Sequence, residues 1–501
     1  MSLFTNISKN AAWTAAGQWV NQLFQFGTIA VLAWLLTPQD YGLITMASTY
    51  TGFVILFANL GFGPALVQRD QIDSLYIDVA FTSTAASSLL LFLITYFIAP
   101  LVAWFYKEPA LSPIIRISSL TLVFSPLNVI LSHILMRDMR FKELAFIDVI
   151  SSAFAQFVAI IAAWRGLGVW SLVIAAVLYP AVRLPFLLNR TSHRPRFKFE
   201  KSRFKDLFSF GSNLMGFNFV NYISRNLDSI IIGKFLGPNP LGYYDRAYQI
   251  MLKPLQNISQ TISQPLFAGL ASMRDNKSEA RDTYCKMVLA ISLITFPIML
   301  GLALVSSEFI LTVFGPKWAQ SIPILQILSI VGAFQSVGTT VGTIYQSQGR
   351  TDIMFRVGIL CSVCYCATFI VGAQFGIFGV ALSYGIVSTL LWVYTHWVAN
   401  RLLDLPNKTF WKNLLPPTIL SIGMSVPVII AKLIMLRLGL PVQLSLAIQV
   451  ITGGVTYLFL IYNSKHPEIL SARLLVSSKL TGVFAFFHRK HPKSQRTNAQ
   501  L

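Results

Sequence analysis

The stretch WLLTPQDYGLI, Trp34–Ile44, is echoed 200 residues later by KFLGPNPLGYY, Lys234–Tyr244. Leu36 aligns with Leu236, Pro38 with Pro238 and Gly42 with Gly242 at that single offset. Pro and Gly at such places stop one helix and start the next, so the doubled phrase reads as one hairpin used twice.

What surrounds the hairpin decides the solvent. Of the residues, 54% are hydrophobic and only 12% charged, a balance suited to a bilayer. About fourteen runs of roughly 20 mostly apolar residues recur, each long enough to cross about 30 Å of hydrocarbon as helix. The expected fold is therefore an all-α integral membrane protein with about fourteen transmembrane helices. Spans 13–36 and 41–67 flank the first hairpin, and spans 207–236 and 243–270 flank the second. The offset lays the first span over the seventh and the second over the eighth. Six helices separate equivalent positions, so both copies enter the membrane in the same direction, as a parallel pseudo-two-fold repeat about the membrane normal. The expected layout is an N-lobe over 1–189, a basic linker over 190–206 and a C-lobe over 207–400. Each lobe has six helices; a peripheral helix pair over 401–463 and a basic tail over 464–501 follow. No loop is long enough for an extramembrane domain.

The formal net charge is +20, from 39 Lys and Arg against 19 Asp and Glu. A nucleic-acid partner is excluded by where the basic residues fall, which is on alternate loops. Arg137, Arg140 and Lys142 lie on one side, with seven more between Arg190 and Lys205, then Arg274, Lys277, Arg281 and Lys286, and the tail from Lys465 to Arg496. The opposite loops carry little beyond Lys107, Arg165, Lys317 and Arg437. The positive-inside rule then puts both termini in the cytoplasm. The start MSLFTNISKNAAW lacks the basic lead and compact apolar core of a cleavable signal peptide. The tail, with its LTGVFAFF, either lies on the inner membrane surface near anionic lipid or is solvated.

Carried along the first span of each lobe, the same offset aligns polarity. Gln18, Asn21 and Gln25 correspond to Asn218, Asn221 and Arg225, and Thr28 corresponds to Asp228. These positions share an arc of about 80° on each helix. Polar stripes at membrane depth face either a water-filled cavity or a neighbouring helix that they hydrogen-bond. The eighth span adds Arg246, Gln249, Lys253, Gln256, Asn257, Gln260 and Gln264 on one face of about 100°. The matching face of the second span, from Met46 to Pro64, is almost entirely apolar. The expected cavity is lopsided, more cationic on the second lobe.

Three cations stand out: Arg225 and Lys253 near mid-depth, and Arg246 nearer the outer end. Asp228 sits one turn from Arg225, where the two can pair as a structural salt bridge. Arg246 and Lys253 are expected to lack an acid, since Asp245 points about 100° away from Arg246. Excess positive charge at this depth implies a visiting anion, phosphate or carboxylate. Arg116 and Arg183 extend the cationic surface or, for Arg183, snorkel to the interface. Asp148 is placed at the inner interface, and Glu308, His133 and His396 read as isolated and structural. Cys361, Cys364 and Cys366 lie inside an apolar helix without supporting His or carboxylate, so they read as packing residues, and Cys285 is remote. GPKW at Gly315–Trp318 lacks the strand and the GxxxxGK[ST] pattern of a phosphate loop. Neither a metal nor a cofactor is expected.

NLDSIIIGKFLGPNPLGYYDRAYQI, Asn226–Ile250, and FGPKWAQSIPILQILSIVGAFQSVG, Phe314–Gly338, resemble the polysaccharide-transport branch of the multidrug, oligosaccharidyl-lipid and polysaccharide exporter superfamily, colanic acid exporters above all. The resemblance runs from residue 5 to about residue 465; Trp34 stands where such proteins often carry a basic residue, while Lys234 keeps one. It implies two lobes around a central cavity and a bacterial cytoplasmic-membrane transporter, not an enzyme. The implied activity is flipping of an undecaprenyl-diphosphate-linked oligosaccharide to the outer leaflet by alternating access, for lipopolysaccharide or exopolysaccharide biosynthesis. Such cargo suits the residues read above. Arg225, Arg246 and Lys253, with Asp228, are the candidates for the anionic head. Gln18, Asn21, Gln22, Gln25, Asn218, Asn221, Gln249, Gln256, Asn257 and Gln260 are candidates for the sugars. The lipid-linked oligosaccharide and membrane lipids are the partners. Burying one unpaired hydroxyl costs about 2–7 kcal/mol, so unaided flipping of a glycan is prohibitively slow. Two other readings stay open. A drug or cation antiporter on this scaffold needs a cavity carboxylate; none lies between Asp40 and Asp70, which leaves Asp228. A membrane polysaccharide polymerase or ligase needs a sizeable outer catalytic loop.

Overall fold

The computed structural model describes residues 22, 24–69, 72–273, 276–464, 466 and 469–470, with backbone alone at 213, 214, 217, 257–265, 268, 271 and 272. Among them every regular element is helical: α1 (Phe24–Leu35), α2 (Pro38–Ala58), α3 (Phe62–Gln68), α4 (Ser74–Tyr106), α5 (Leu111–Ser118), α6 (Leu120–Arg137), α7 (Phe141–Trp164) and α8 (Val169–Arg190). Then follow α9 (Lys201–Leu236), α10 (Pro238–Ser272), α11 (Lys277–Val313), a short 3₁₀ turn (Pro316–Trp318), α12 (Ser321–Ser347), α13 (Thr351–Ala373), α14 (Gly376–Leu402), α15 (Asn407–Arg437) and α16 (Val442–Asn463). With α5 and α6 taken as one, eleven helices among the described residues are long and apolar enough to cross a membrane. The chain is a multi-pass membrane protein. α9 and α10 have 36 and 35 residues, ample length for a crossing, but their polar side chains keep them outside those eleven.

Two long apolar stretches are interrupted. The run 41–67 breaks between α2 and α3, where Leu60 and Gly61 take φ of 50° and 68°. A Cβ on Gly61 would lie 2.9 Å from Gly211 Cα, so glycine serves both the left-handed turn and the close approach of α9. The run 112–136 divides at Ser119 into α5 and α6.

α4 shows how such helices pack. Ala80, Ser83, Thr84, Ser88, Thr95, Ala99 and Ala103 are buried, while Leu89, Leu90, Phe97, Leu101 and Trp104 are exposed. Lipid is as apolar as leucine, so burial is driven by close packing of small side chains, and large apolar ones are left to the hydrocarbon. Two of the buried hydroxyls return to their own helix: Ser83 donates to Val79 O at 2.7 Å and Thr84 to Ala80 O at 2.8 Å.

The described chain divides into two compact units. One runs through Ile250 and takes in Phe309–Leu328 and Ile359–Ser388; the other holds Met251–Glu308, Ser329–Gly358 and the chain from Thr389 onward. In the first, Phe62, Leu66, Val79, Ile130 and Leu207 join α3, α4, α6 and α9. In the second, Tyr284, Val337, Trp392 and Phe410 join α11, α12, α14 and α15, with the Tyr284 and Phe410 rings stacked at 6.4 Å.

The doubled phrase lies within the first unit and packs against itself. A Cβ on Gly42 would overlap the Pro238 carbonyl, and one on Gly242 would overlap that of Pro38. At the start of α2, Thr37 Oγ1 accepts the Asp40 N–H at 3.2 Å and Asp40 Oδ2 accepts the Thr37 N–H at 2.8 Å. Such capping boxes are worth about 1 kcal/mol. The GPKW turn closes the end of α1: the Trp318 indole donates to Ala33 O at 2.9 Å and Lys317 Nζ to Trp34 O at 2.6 Å. Carbonyls at a helix C-terminus lack intrahelical donors and carry negative dipole charge, which a lysine complements. Trp318 is fully buried against Tyr41 at 5.3 Å, Phe314 at 5.9 Å and Tyr243 at 6.2 Å.

Candidate functional site

Residues 218–228 of α9 hold the polar stripe. Arg225 lies about 16 Å from the C-terminal end of this helix, near the middle of a bilayer-sized span. Its side chain is exposed, as is that of Asn221, whereas Asn218 is half-buried and Asp228 fully buried. Arg225 and Asp228 form no ion pair. The Asp228 carboxylate accepts the Ser229 N–H at 2.7 Å and lies beside Tyr244 of α10. Tyr248, one turn further, stacks on Tyr244 at 6.0 Å and lies near Arg225. Tyr384 of α14 approaches Tyr244 and packs on Tyr365 of α13 at 5.5 Å. The stripe therefore divides, with its acid enclosed among tyrosines and its cation left open.

The remaining candidates sit at several depths. Gln22 and Gln25 are half-buried, and Gln18 and Asn21 lie outside the described residues. Thr28, next along that stripe, donates to Gln156 Oε1 of α7 at 2.6 Å, which makes this position interhelical adhesive. On α10, Gln249 and Gln256 are half-buried and Lys253 is exposed; Asn257 and Gln260 fall outside the described side chains. Lys253 belongs to the second compact unit and Arg225 to the first.

Arg246 corrects the sequence reading. It was expected to lack an acid, yet Nη2 lies 2.6 Å from Asp245 Oδ2, and the guanidinium sits 4.4 Å over the Tyr41 ring. A helical projection places Cβ atoms, not the end of a long side chain, and an arginine reaches around the helix to its neighbour. Arg183 likewise does not snorkel: it pairs with Asp148 at 2.7 Å and donates to Ser132 Oγ at 3.2 Å, tying α6, α7 and α8. Arg116 lies 4.9 Å over the Tyr96 ring and donates to Tyr96 O at 3.2 Å, joining α5 to α4. Glu308 is not isolated, since Lys432 of α15 reaches it at 3.1 Å, with Ser307 Oγ at 2.8 Å from the same ammonium. His133 and His396 each bond a carbonyl one turn back on their own helix, at 2.8 Å. None of the four cysteines is in a disulfide, and no cluster of metal-ligating side chains occurs among the described residues.

A cavity of about 540 Å³ lies within the first unit between α2, α4 and α9. Tyr50, Phe53, Leu101, Phe105, Tyr106 and Ile223 are among its lining residues, and the Tyr222 hydroxyl bonds Thr49 O at 2.9 Å beside it. Such a lining suits a hydrocarbon chain and offers almost nothing to a sugar.

The family described as polysaccharide biosynthesis protein matches residues 31–323, more than half of the chain. The chain belongs to this family. Teichuronic acid biosynthesis protein TuaB of Bacillus subtilis is 28% identical over 483 residues, covering 96% of this chain and 100% of that protein. Lipopolysaccharide biosynthesis protein WzxC of Escherichia coli is 25% identical over 405 residues, covering 79% of this chain and 82% of that protein. Among solved structures, lipid II flippase MurJ in an inward closed conformation matches with a TM-score of 0.69 at 15% identity, over 89% of this chain and 97% of that one. At that identity the likeness is one of fold.

In this member of the polysaccharide biosynthesis protein family, several contacts of the charged residues above escape sequence reading. Tyr244 and Tyr248 have a signal, being four apart on the helix that follows Asp228. Lys432 has none, because 124 residues separate it from Glu308.

Proposed function

We propose that the chain is a flippase that moves a prenyl-diphosphate-linked oligosaccharide from the cytoplasmic to the outer leaflet by alternating access, for surface polysaccharide assembly. The observation that carries this reading is Arg225: a cation near mid-membrane on α9, exposed, with the acid one turn away bonded elsewhere. A charge facing hydrocarbon at that depth costs at least about 2.5–3.5 kcal/mol, so Arg225 faces water or an anion. A diphosphate supplies that anion, and guanidinium binds phosphate oxygens two at a time. Lys253 is an exposed second cation, on α10. Arg246, already neutralised by Asp245, orients groups around it more than it attracts charge. Gln22, Gln25, Asn218, Asn221, Gln249 and Gln256 offer amides for sugar hydroxyls, and the apolar cavity beside α9 suits part of the lipid tail.

The names of TuaB, WzxC and MurJ support a lipid-linked glycan as cargo. Eleven apolar helices together with α1, α9 and α10 support fourteen crossings, and the reciprocal Gly–Pro packing supports a parallel repeat of two six-helix lobes. The charge on alternate loops supports cytoplasmic termini in a bacterial inner membrane.

The test is Arg225→Gln with Lys253→Gln, assayed in proteoliposomes by the accessibility of a labelled lipid-linked oligosaccharide on each leaflet. Insertion should be unchanged and flipping should fall at least about tenfold, the loss of one charged hydrogen bond to the head group. Full transport by the well-folded double variant would reject the cationic site. Mass analysis of the lipid intermediate that accumulates on deletion would identify the glycan.

A further inference from the structure

The connector between α8 and α9, residues 191–200, crosses the beginning of α4 as an extended strap. Asp78 of α4, 2% exposed, accepts the Arg196 backbone N–H at 2.9 Å and faces His193 Nε2 at 3.1 Å. Two residues along the strap, Thr82 Oγ1 accepts the Lys198 N–H at 2.9 Å. Alternate amides are thus held to one helix, and the strap is ordered by the protein before it meets anything else.

What the strap turns outward is unusual for a loop. Phe197 is 78% exposed, with one side of its ring against Phe81 of α4 at 5.1 Å, and Phe199 is 61% exposed, beside Phe204 of α9 at 5.5 Å. Around them the acids are already engaged. Asp73 pairs with Arg203, Glu200 with Arg203 at 3.0 Å, Asp206 with Arg69, and Glu143 with Arg140 at 2.7 Å and Arg190 at 3.5 Å. Arg196, Lys201 and Lys205 are exposed and make no ion pair among the described residues. α8, long and apolar enough to cross a membrane, ends at Arg190, one residue before the strap begins. Exposed aromatic rings between uncompensated cations, at the end of a membrane helix, meet the chemistry of one surface: an apolar boundary below a layer of phosphates.

We propose that this strap is a docking surface for anionic phospholipid of the leaflet it faces. Phe197 and Phe199 enter the acyl boundary, and Arg196, Lys201 and Lys205 meet headgroup phosphates. A soluble polyanion would satisfy the cations but leave both rings in water.

The test uses the full-length purified protein. Native mass spectrometry measures retention of phosphatidylglycerol against phosphatidylcholine, and trypsin cleavage within 194–205 is followed in bilayers of each lipid. Wild type should prefer phosphatidylglycerol and be cut more slowly in it. Arg196→Gln/Lys201→Gln/Lys205→Gln should weaken phosphatidylglycerol retention by about tenfold or more, since each basic residue near an anionic surface contributes to binding. Phe197→Ser/Phe199→Ser should speed cleavage in both lipids, while Lys408→Gln, exposed and remote in sequence, should change neither readout. Arg196, Lys201 and Lys205 make no ion pair to lose, so the melting temperature of the triple Gln variant should hold; Phe197 and Phe199 each give up one ring contact, so the melting temperature of the Ser variant is measured in detergent to separate binding from folding. Equal retention of the two lipids by wild type would overturn the proposal. So would equal cleavage in both bilayers and in detergent, which marks a segment covered by protein, or unchanged behaviour of either variant.

Discussion

Gly42 and Gly242 are set by what stands opposite them, for each lies against the other phrase's proline carbonyl and neither site has room for a methyl group. Backbone cannot yield as a flexible side chain can. Gly42→Ala should cost about 1–3 kcal/mol, the usual penalty for overpacking, and lower the melting temperature of the detergent-solubilised protein. Gly454→Ala on α16, where an added Cβ meets nothing within 4 Å, should be neutral or stabilising by up to about 1 kcal/mol. Equal effects at the two sites would remove the packing argument. Charged residues divide in legibility at this scale. That Arg225 sits near mid-membrane follows from counting along the chain. That Arg246 is paired while Arg225 is open does not, because the outcome depends on where a flexible side chain ends, and i to i+3 spacing to Asp228 permits pairing without requiring it.

Between elements, the ends of α3, α4 and α9 are joined by charge. The Tyr76 ring lies between two guanidinium groups, Arg203 at 4.6 Å and Arg69 at 5.2 Å, and its hydroxyl donates to Asp206 at 3.0 Å. Asp73, the N-cap of α4, is held below the usual carboxylate range first by its hydrogen bond from Arg203 and then by the Tyr76 N–H. Asp206 is lowered first by Arg69. A carboxylate with a depressed folded-state pKa stabilises the fold above its unfolded value, near 4, and that contribution is lost as pH falls through the lowered value. Asp73→Asn keeps the cap and removes the charge. The melting-temperature gap between wild type and this variant should therefore be constant from pH 7 to about 5 and close on acidification below about 4; a gap independent of pH would mean the charge contributes nothing. The sequence read these helices well, since apolar length is local. It missed the break at Leu60–Gly61, because nothing in an apolar run announces that α9 approaches there with Gly211.

For the whole molecule, the strongest statement concerns orientation. Basic residues gather on alternate loops, and moving them across a bilayer is opposed during insertion. A single cysteine at Ala110, in a variant without the native four, should react with a membrane-impermeant maleimide in intact cells. One at Lys408 should react only after permeabilisation. The opposite pattern would invert the topology and with it the proposed direction of transport.

The amino-acid sequence by itself determined the solvent, the helical class and the 200-residue repeat, because hydrophobic content, apolar run length and spacing are properties of a line. Family membership was legible there too, in the motifs around Asn226–Ile250 and Phe314–Gly338. Tertiary structure alone decided which charges are neutralised: Arg246 by Asp245, Arg183 by Asp148, Lys432 by Glu308. It also decided that the two hairpin phrases face each other and that Asp228 turns to Tyr244 and away from Arg225. The Arg246–Asp245 pair depends on how far a side chain reaches around its own helix; the other outcomes depend on which helix lies within reach, and contacts between residues from tens to hundreds of positions apart have no signature in the order of the chain.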